Sequence, residues 1–450
     1  MLKYLPEQPG EYPGKITSKE VNTMKNVIRA VKGTTDYYPE EMAIRTWLYE
    51  HVRKVSESFG YQEYEAPFLE TLDLYAAKSG EEIVEKQSYV FEDRSGERIT
   101  LRPELTPSLA RMVAKKQTQL TFPLRWWSFG PFWRYERPQK GRGREFFQWN
   151  IDMIGERSPE GDAELATIAA TFLKEIGLTP ADAKILVNNR QLMDAETAAL
   201  GFGSELRPMV YKLIDRRDKM SPKDWEAFAT ESGMTAKQIA SLLSLLENRK
   251  LWEKSEEMQR FFKAADAFGA SEYIEYAPQI IRGLDYYTGT VFEAWDTAGD
   301  FRSLFGGGRY DNLVSDVGGQ PVSAVGFAVG NMVVTLLLEK LGRLPAVGGS
   351  PAKVFVTIFD EQSMLTSLAL STELRQAGIN TATPPTLEKL GKQFKYADRI
   401  GAHYALVVGP DELAAGQVTV KNLSSGDQMS VKREELVDIL HKELEHAAAS

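Results

Sequence analysis

Phe132-Trp-Arg-Tyr-Glu136 and Phe146-Phe-Gln-Trp-Asn-Ile-Asp152, joined through the loop Pro138-Gln-Lys-Gly-Arg-Gly-Arg144, decide how this chain folds. Aromatic and β-branched residues on either side of a Gly/Arg loop read as two antiparallel strands, over residues 124–137 and 145–155. Side chains alternate across a strand. Phe132, Arg134 and Glu136 therefore share one face, as do Phe146, Gln148, Asn150 and Asp152. The alternate residues Trp133, Tyr135, Phe147, Trp149 and Ile151 are bulky and are expected inside. A polar face that gathers an arginine, carboxylates, amides and aromatic rings over such a core suits a recessed, rigid binding site better than a solvated sheet surface.

Outward from this pair, apolar positions Met42, Ile44, Leu48, Val52 and Val55 have helical spacing from Pro39 to about Phe59, with Gly60 as terminator. Residues 61–68 read as a strand, 89–101 as a hairpin turning at Arg94-Ser95-Gly96, and 107–116 as a helix. Downstream, 160–176 is helical, and 194–266 is polar and helix-forming, which places a helical insertion there. Strands return at 274–281 and 291–295. Gly306 to Gly308 reads as a Gly-rich turn, and a helix over 331–341 closes the unit. Gly342 to Pro351 has linker composition. Beyond it, strands at 354–358, 381–383 and 404–408 alternate with helices at 362–377 and 387–401, the pattern of a small α/β domain with a largely parallel core.

Composition narrows the function classes. With 43% hydrophobic and 26% charged residues in a 450-residue chain, several folding units with ordinary cores are affordable, and a disordered or fibrous protein is excluded. Apolar stretches such as 332–338 are far too short to span a bilayer, and the N-terminus lacks the basic-then-apolar pattern of a secretory leader, so no membrane role is expected. The lack of cysteine excludes thiolate zinc sites and suits a reducing, cytoplasmic setting. The net charge of −9 conceals a local excess. Residues 101–150 hold ten Lys/Arg against three Glu, interleaved with Trp126, Trp127, Trp133 and other aromatics, as in a structured polyanion site. The four histidines lack ligand spacing with carboxylates. Gly306-Gly-Gly-Arg-Tyr-Asp311 lacks the Lys-Ser/Thr ending of a P-loop, so a bound nucleotide would need another architecture.

Four segments in order, Leu101-Arg-Pro-Glu104, the Phe132–Asp152 pair, Ile281-Arg-Gly-Leu-Asp-Tyr-Tyr287 and Gly307-Gly-Arg-Tyr-Asp-Asn-Leu313, resemble the signatures of the class II aminoacyl-tRNA synthetases, and the last two resemble those of the histidyl-tRNA synthetase family. The resemblance covers roughly residues 25–445. It implies an α+β protein. An N-terminal extension (1–32) would precede a catalytic domain (33–341) built on an antiparallel sheet flanked by helices, with the insertion at about 194–266. A linker (342–351) and a C-terminal α/β anticodon-binding domain (352–450) would follow. The implied reaction is ATP-dependent activation of L-histidine to histidyl-adenylate, then transfer to tRNA(His), with Mg2+ on the phosphates and a homodimeric chain whose interface uses the segment from Pro39 to Pro67.

By the same resemblance, Glu104 and Thr106 would hold the histidine α-amino group, and Gln148 the substrate's polar end. Asp152, where the family has a glutamate, would accept from the imidazole N–H, and Tyr286, Tyr287 and Tyr310 would wall the side-chain pocket. Arg134 would grip the α-phosphate and the substrate carboxylate, Glu136 would face the adenine amino group, Phe146 would stack on adenine, and Arg142 would reach the outer phosphates. Arg282, and with it Arg134, would be catalytic, stabilising charge on the α-phosphate.

The chain departs from the pattern at Gly326-Phe-Ala-Val-Gly-Asn-Met-Val-Val334, where the third signature normally carries Glu-Arg, and at Leu105, where glycine is usual. Either Arg142 or Arg309 takes over the outer phosphates, or the chain has lost ATP chemistry. The rival readings are a non-catalytic synthetase-like regulatory subunit of histidine biosynthesis, which would lack the C-terminal domain, and a tRNA-sensing module, which would ordinarily accompany a kinase.

Overall fold

The computed structural model describes residues 27–76, 87–217, 220–281, 286–346 and 349–449. It divides into two compact units. One runs from Thr46 to Leu344, and the second from Pro345 onward, with residues 37–45 grouped with the second.

Helix α1 (Pro39–Ser58) opens with Glu40 and Glu41 in its first turn, where carboxylates complement the helix dipole, and buries Leu48, Val52 and Val55. Gly60, at φ +78°, makes the reversal after it. The strand expected over 61–68 is reduced to β1 (Gln62–Glu63). Pro67 has no N–H to donate, and the Ala66 N–H is taken by the Glu65 carboxylate at 2.9 Å, so the ladder stops. A three-stranded sheet in the order β2–β4–β3 follows, from β2 (Leu69–Thr71), which leads into α2 (Leu72–Ala76), and the hairpin β3 (Tyr89–Glu92) and β4 (Arg98–Leu101). Asp93 Oδ1 accepts from the N–H groups of Ser95 (2.8 Å) and Glu97 (2.9 Å), which fixes the turn.

Helix α3 (Thr106–Lys116) leads to β5 (Leu124–Trp133) and β6 (Glu145–Ile154), paired antiparallel from Leu124↔Ile154 to Trp133↔Glu145. Next come α4 (Pro159–Glu175), β7 (Ala183–Asn189) and the helices α5 (Arg190–Ala199), α6 (Arg207–Arg217), α7 (Pro222–Glu231), α8 (Ala236–Glu247) and α9 (Glu256–Ala267). Side-chain caps mark five of these helices, with Ser158 on α4 and Asn189 on α5. Ser221, Thr235 and Ser255 each accept from a first-turn N–H, and Thr235 with Gln238 completes a capping box. A bidentate Arg260–Glu160 pair (2.9 and 2.7 Å) ties α9 to α4. The unit ends with β8 (Ile274–Tyr276), β9 (Thr290–Asp296), β10 (Phe305–Tyr310), the short α10 (Leu313–Asp316), β11 (Ala324–Gly330) and α11 (Asn331–Lys340).

These strands form an eight-stranded sheet in the order β1–β5–β6–β11–β10–β9–β7–β8, antiparallel from β5 to β7 with β1 and β8 added parallel at the edges. Trp127, Trp149, Ile151, Ile185, Val325 and Phe327 belong to a core shared with Leu165, Ala169, Phe172 and other residues of α4. Trp149 lies 5.1 Å from Phe172 and 5.0 Å from Phe327 between ring centroids. The opposite face carries Gln148, Asn150 and Asp152.

The glycine run 306–308 is the middle of a buried strand, not a turn. Across the register, Gly326 lies between Asp152 and Gly308, and Ala328 between Asn150 and Gly306. A Cβ on Gly326 would fall 1.9 Å from Asp152 Oδ1, and one on Gly308 would fall 2.9 Å from Tyr287. Small residues in a strand interior weaken the sheet but open space above it, and here the space adjoins the polar residues of β6.

In the second unit, the strands β12 (Val354–Val356), β13 (Thr381–Ala382) and β14 (Tyr404–Val407) are parallel and alternate with α12 (Met364–Gln376) and α13 (Leu390–Arg399). After α14 (Pro410–Ala415), an antiparallel hairpin, β15 (Gln417–Asn422) and β16 (Gln428–Lys432), extends the sheet to the order β13–β12–β14–β15–β16, and α15 (Leu436–Ala449) follows. Val354, Val356, Leu370, Leu374, Leu406, Val418 and Leu440 make its core.

Candidate active site

Strands β6, β10 and β11 and the start of α3 enclose a cavity of about 220 Å³. Glu104, Thr106, Arg134, Gln148, Asn150, Asp152, Tyr286, Tyr287 and Tyr310 line it, so every described residue assigned above to the amino-acid ligand faces one space. Arg282 lies outside the described residues. At one end Tyr310 donates to Asp152 Oδ1 at 2.7 Å. Tyr286 packs edge-on against Tyr310 at 6.0 Å and beside Tyr287 at 4.9 Å. Asn150 is buried, and its Nδ2 has no hydrogen-bond partner among the described residues. An orphaned donor in a polar cavity is placed to meet a ligand oxygen.

Burial pushes the Asp152 carboxyl up to about 7, and the Tyr310 hydrogen bond offsets only part of the rise. The same burial, with the Asp152 charge beside it, holds the Tyr310 hydroxyl well above its ordinary value. A folded-state value above the unfolded one means that the stability contribution is complete at low pH and is lost as pH rises through 7. Asp152→Asn keeps an acceptor for Tyr310 and removes the titration. Its unfolding midpoint should exceed that of the wild type most at pH 8, and the difference should shrink by about 1.4 kcal/mol per unit from pH 7 to pH 5. A pH-independent difference in thermal denaturation would refute the buried ionisation.

A second cavity, of about 920 Å³, opens beside the first and shares Arg134, Gln148, Gly306 and Ala328 with it. Glu136, Arg142, Phe146, Glu293, Asp215 and Arg302 also line it. The loop after β5 is shaped by reciprocal backbone bonds between Gln139 and Arg142 (3.0 and 2.8 Å) around Gly141, whose φ is +74°. Arg142 pairs with Glu136 at 2.6 Å. The Arg134 guanidinium sits 5.3 Å from the centre of the Phe146 ring and donates through Nε to the Pro103 carbonyl at 2.9 Å. Two linked cavities, one small with acids and tyrosines, one large with arginines and an aromatic ring, can hold two ligands whose reacting ends meet near Arg134. Among the described residues no three His, Asp or Glu side chains gather as a metal-binding group.

Three expectations are corrected, two on the strand pair and one on β10. Phe132 is not on an open face but fully buried, in a cluster with Ala66 and Leu105. Tyr135 is 53% exposed rather than inside, because β5 ends at Trp133 and the alternation ends with it. Arg309, offered as a substitute for the third-signature arginine, is 8% exposed and bound to Asp162 through Nη2 (2.6 Å) and Nε (3.2 Å), away from the large cavity. The sequence reading placed Asn150 on the right face without a role and passed over Arg302.

An antiparallel sheet with helices on its core face and a ligand cleft on the other, followed by a separate α/β unit, defines the class II aminoacyl-tRNA synthetase architecture. The histidyl-tRNA synthetase family model matches residues 33–333, and an anticodon-binding domain model matches residues 353–443. The chain belongs to the histidyl-tRNA synthetase family. It is 36% identical over 417 residues to a histidine–tRNA ligase of Haloarcula marismortui, spanning 89% of this chain and 95% of the relative. It is 38% identical over 415 residues to the chloroplastic/mitochondrial histidine–tRNA ligase of Arabidopsis thaliana, spanning 90% and 85%. The crystal structure of histidyl-tRNA synthetase from Nostoc sp. PCC 7120 is similar, with a TM-score of 0.80 and 26% identity over 93% of this chain and all of that one.

Proposed function

We propose that the chain is a histidine–tRNA ligase that activates L-histidine with ATP and transfers it to tRNA(His), releasing pyrophosphate and AMP. The observation that carries this reading is the sharing of Arg134 and Gln148 between the two cavities. Histidine in the small cavity and ATP in the large one would bring a carboxylate and an α-phosphate together at Arg134. The carboxylate attacks phosphorus, pyrophosphate leaves, and the guanidinium stabilises the charge that develops on the phosphate oxygens. Glu104 and Thr106 hold the ammonium, Gln148 the polar end, and Asp152 the imidazole N–H, with Tyr286, Tyr287 and Tyr310 as walls. Phe146 stacks on adenine, Glu136 receives its amino group, and Arg142 holds outer phosphates. Arg282 remains the candidate for the main catalytic cation.

Glu293 and Asp215, oxygen donors on the wall of the large cavity, fit a magnesium ion brought in on the triphosphate. Bound there, the ion would neutralise the leaving pyrophosphate. The match of residues 353–443 to an anticodon-binding domain favours the ligase over a regulatory subunit without that domain. No helix among the described residues is long and apolar enough to cross a membrane, in keeping with a cytoplasmic enzyme.

A homodimer completes the reading. Phe68, Leu69, Val90 and Phe91, on and beside the three-stranded sheet, are 37–49% exposed, an apolar group that a second copy of the chain would cover. Sedimentation of the wild type should return a dimer and that of Phe91→Glu a monomer. A monomeric wild type at micromolar concentration would count against it. The activity itself is tested by histidine-dependent exchange of labelled pyrophosphate into ATP, without RNA and with other amino acids as controls. Exchange with histidine alone supports the ligase, and its absence from folded protein overturns it.

A further inference from the structure

We infer that Arg302, in the connection between β9 and β10, is the cation that holds the outer phosphates of ATP beside the loop that presents Arg142. The inference rests on the reading of the large cavity as the ATP site. At the start of α11, the lining residues Gly330, Asn331, Met332 and Val333 bear no charge, and the Asn331 side chain is engaged by the Phe147 N–H at 3.1 Å. Arg309 is committed to Asp162. Arg302 does line the cavity, and its Nη2 donates to the Gly141 carbonyl, in the same loop that presents Arg142.

The connection that carries Arg302 is built to hold it there. Buried Asp296 accepts from the backbone N–H groups of Asp300 (2.8 Å) and Phe301 (3.1 Å). The Leu304 N–H bonds the Ala294 carbonyl at 2.7 Å, and Asp300 is ion-paired with Lys340 of α11. The Phe301 ring has two ammonium groups near it, Lys140 at 5.9 Å and Lys340 at 5.8 Å from its centre. With both neighbours anchored, Arg302 has a defined place.

Among the described residues Arg302 has no carboxylate within ion-pair distance, and neither has Arg134. Desolvation, with the charges of Arg142 and Arg134, lowers the Arg302 pKa, while Glu136 raises it. A guanidinium crowded by like charge is relieved by an anion. A triphosphate that extends from Arg134 past Arg142 supplies one, in the bidentate geometry that guanidinium groups favour.

The test uses the full-length protein and calorimetric binding of AMP and of the unreactive α,β-methylene analogue of ATP. Arg302→Gln should weaken the analogue by at least about tenfold, as expected for loss of hydrogen bonds to a charged group, and leave AMP and histidine within about twofold. Arg302→Lys should restore part of the loss. Equal loss of AMP and the analogue, or no loss of either, overturns the assignment. So does normal pyrophosphate exchange with slowed transfer to RNA, which would place Arg302 on the RNA instead. Failure of the wild type to bind either nucleotide or to exchange pyrophosphate would instead overturn the ligase reading itself.

Discussion

Replacement of Arg134 by alanine should lower histidine-dependent pyrophosphate exchange by about 10²–10³-fold, the usual effect of removing one fixed donor from a developing oxyanion. Arg134 is only partly buried, makes no ion pair among the described residues and spends one hydrogen bond on the Pro103 carbonyl. Its loss therefore breaks no buried charge pair, and the unfolding midpoint should stay near that of the wild type. Its place at the meeting of the two cavities is different in kind from that of Arg142, which already has Glu136 as a partner. Arg134→Lys keeps the charge but not the planar fork, so it should recover only a small part of the rate. Exchange within tenfold of wild type in the alanine variant would remove Arg134 from the reacting centre. A variant that unfolds early would show that the Pro103 contact has a structural share, and the lysine variant then separates the two.

The strand pair around Arg134 was legible because β-forming residues flank a Gly/Arg loop, and period-two alternation sends Gln148, Asn150 and Asp152 to one face and Trp149 and Ile151 to the other. Alternation fails where pairing ends, and so Tyr135 was misplaced: nothing in the local sequence marks Trp133 as the last paired residue. The glycines 306–308 misled for a different reason. Glycine is a turn residue by propensity, yet here the backbone is a central strand, and the missing side chains of Gly307 and Gly308 leave room for Phe327 and Tyr287 on neighbouring segments. That constraint is tertiary, and so is the register that makes β11 a strand. Arg302 carries no periodic signal at all. A lone arginine in a polar connection gains meaning only when Asp296 and Lys340 fix the residues beside it. Arg309 was the reverse case, an arginine in a recognisable segment whose ion pair partner, Asp162, lies on a distant helix.

Arg309→Ala should destabilise the first unit by about 3–5 kcal/mol at pH 8, the scale of breaking a buried ion pair from one side. Arg309 is bidentate to Asp162, itself 3% exposed, and donates further to the carbonyls of Glu156 (2.8 Å) and Ser158 (3.1 Å) before α4. The substitution would leave a buried carboxylate and two carbonyls without these donors. Burial already lifts the Asp162 carboxyl to about 6, with Arg309 pulling it down. Without Arg309 the value must rise further. Because both folded-state values lie above the unfolded one, the stability contribution is complete at low pH and lost through each value as pH rises, later in the variant. Near pH 5 both proteins carry a neutral Asp162, and the gap between them narrows; above pH 6 only the wild type offers the anion a partner, and the gap widens. All eight tryptophans fall between residues 47 and 295, so urea unfolding followed by tryptophan fluorescence reports on this unit alone. Arg309→Met combined with Asp162→Leu removes both charges and should regain much of the loss. A single variant that loses less than about 1 kcal/mol, the scale of an exposed pair, or a double variant no better than the single, would show that the pair does not hold β10 to α4.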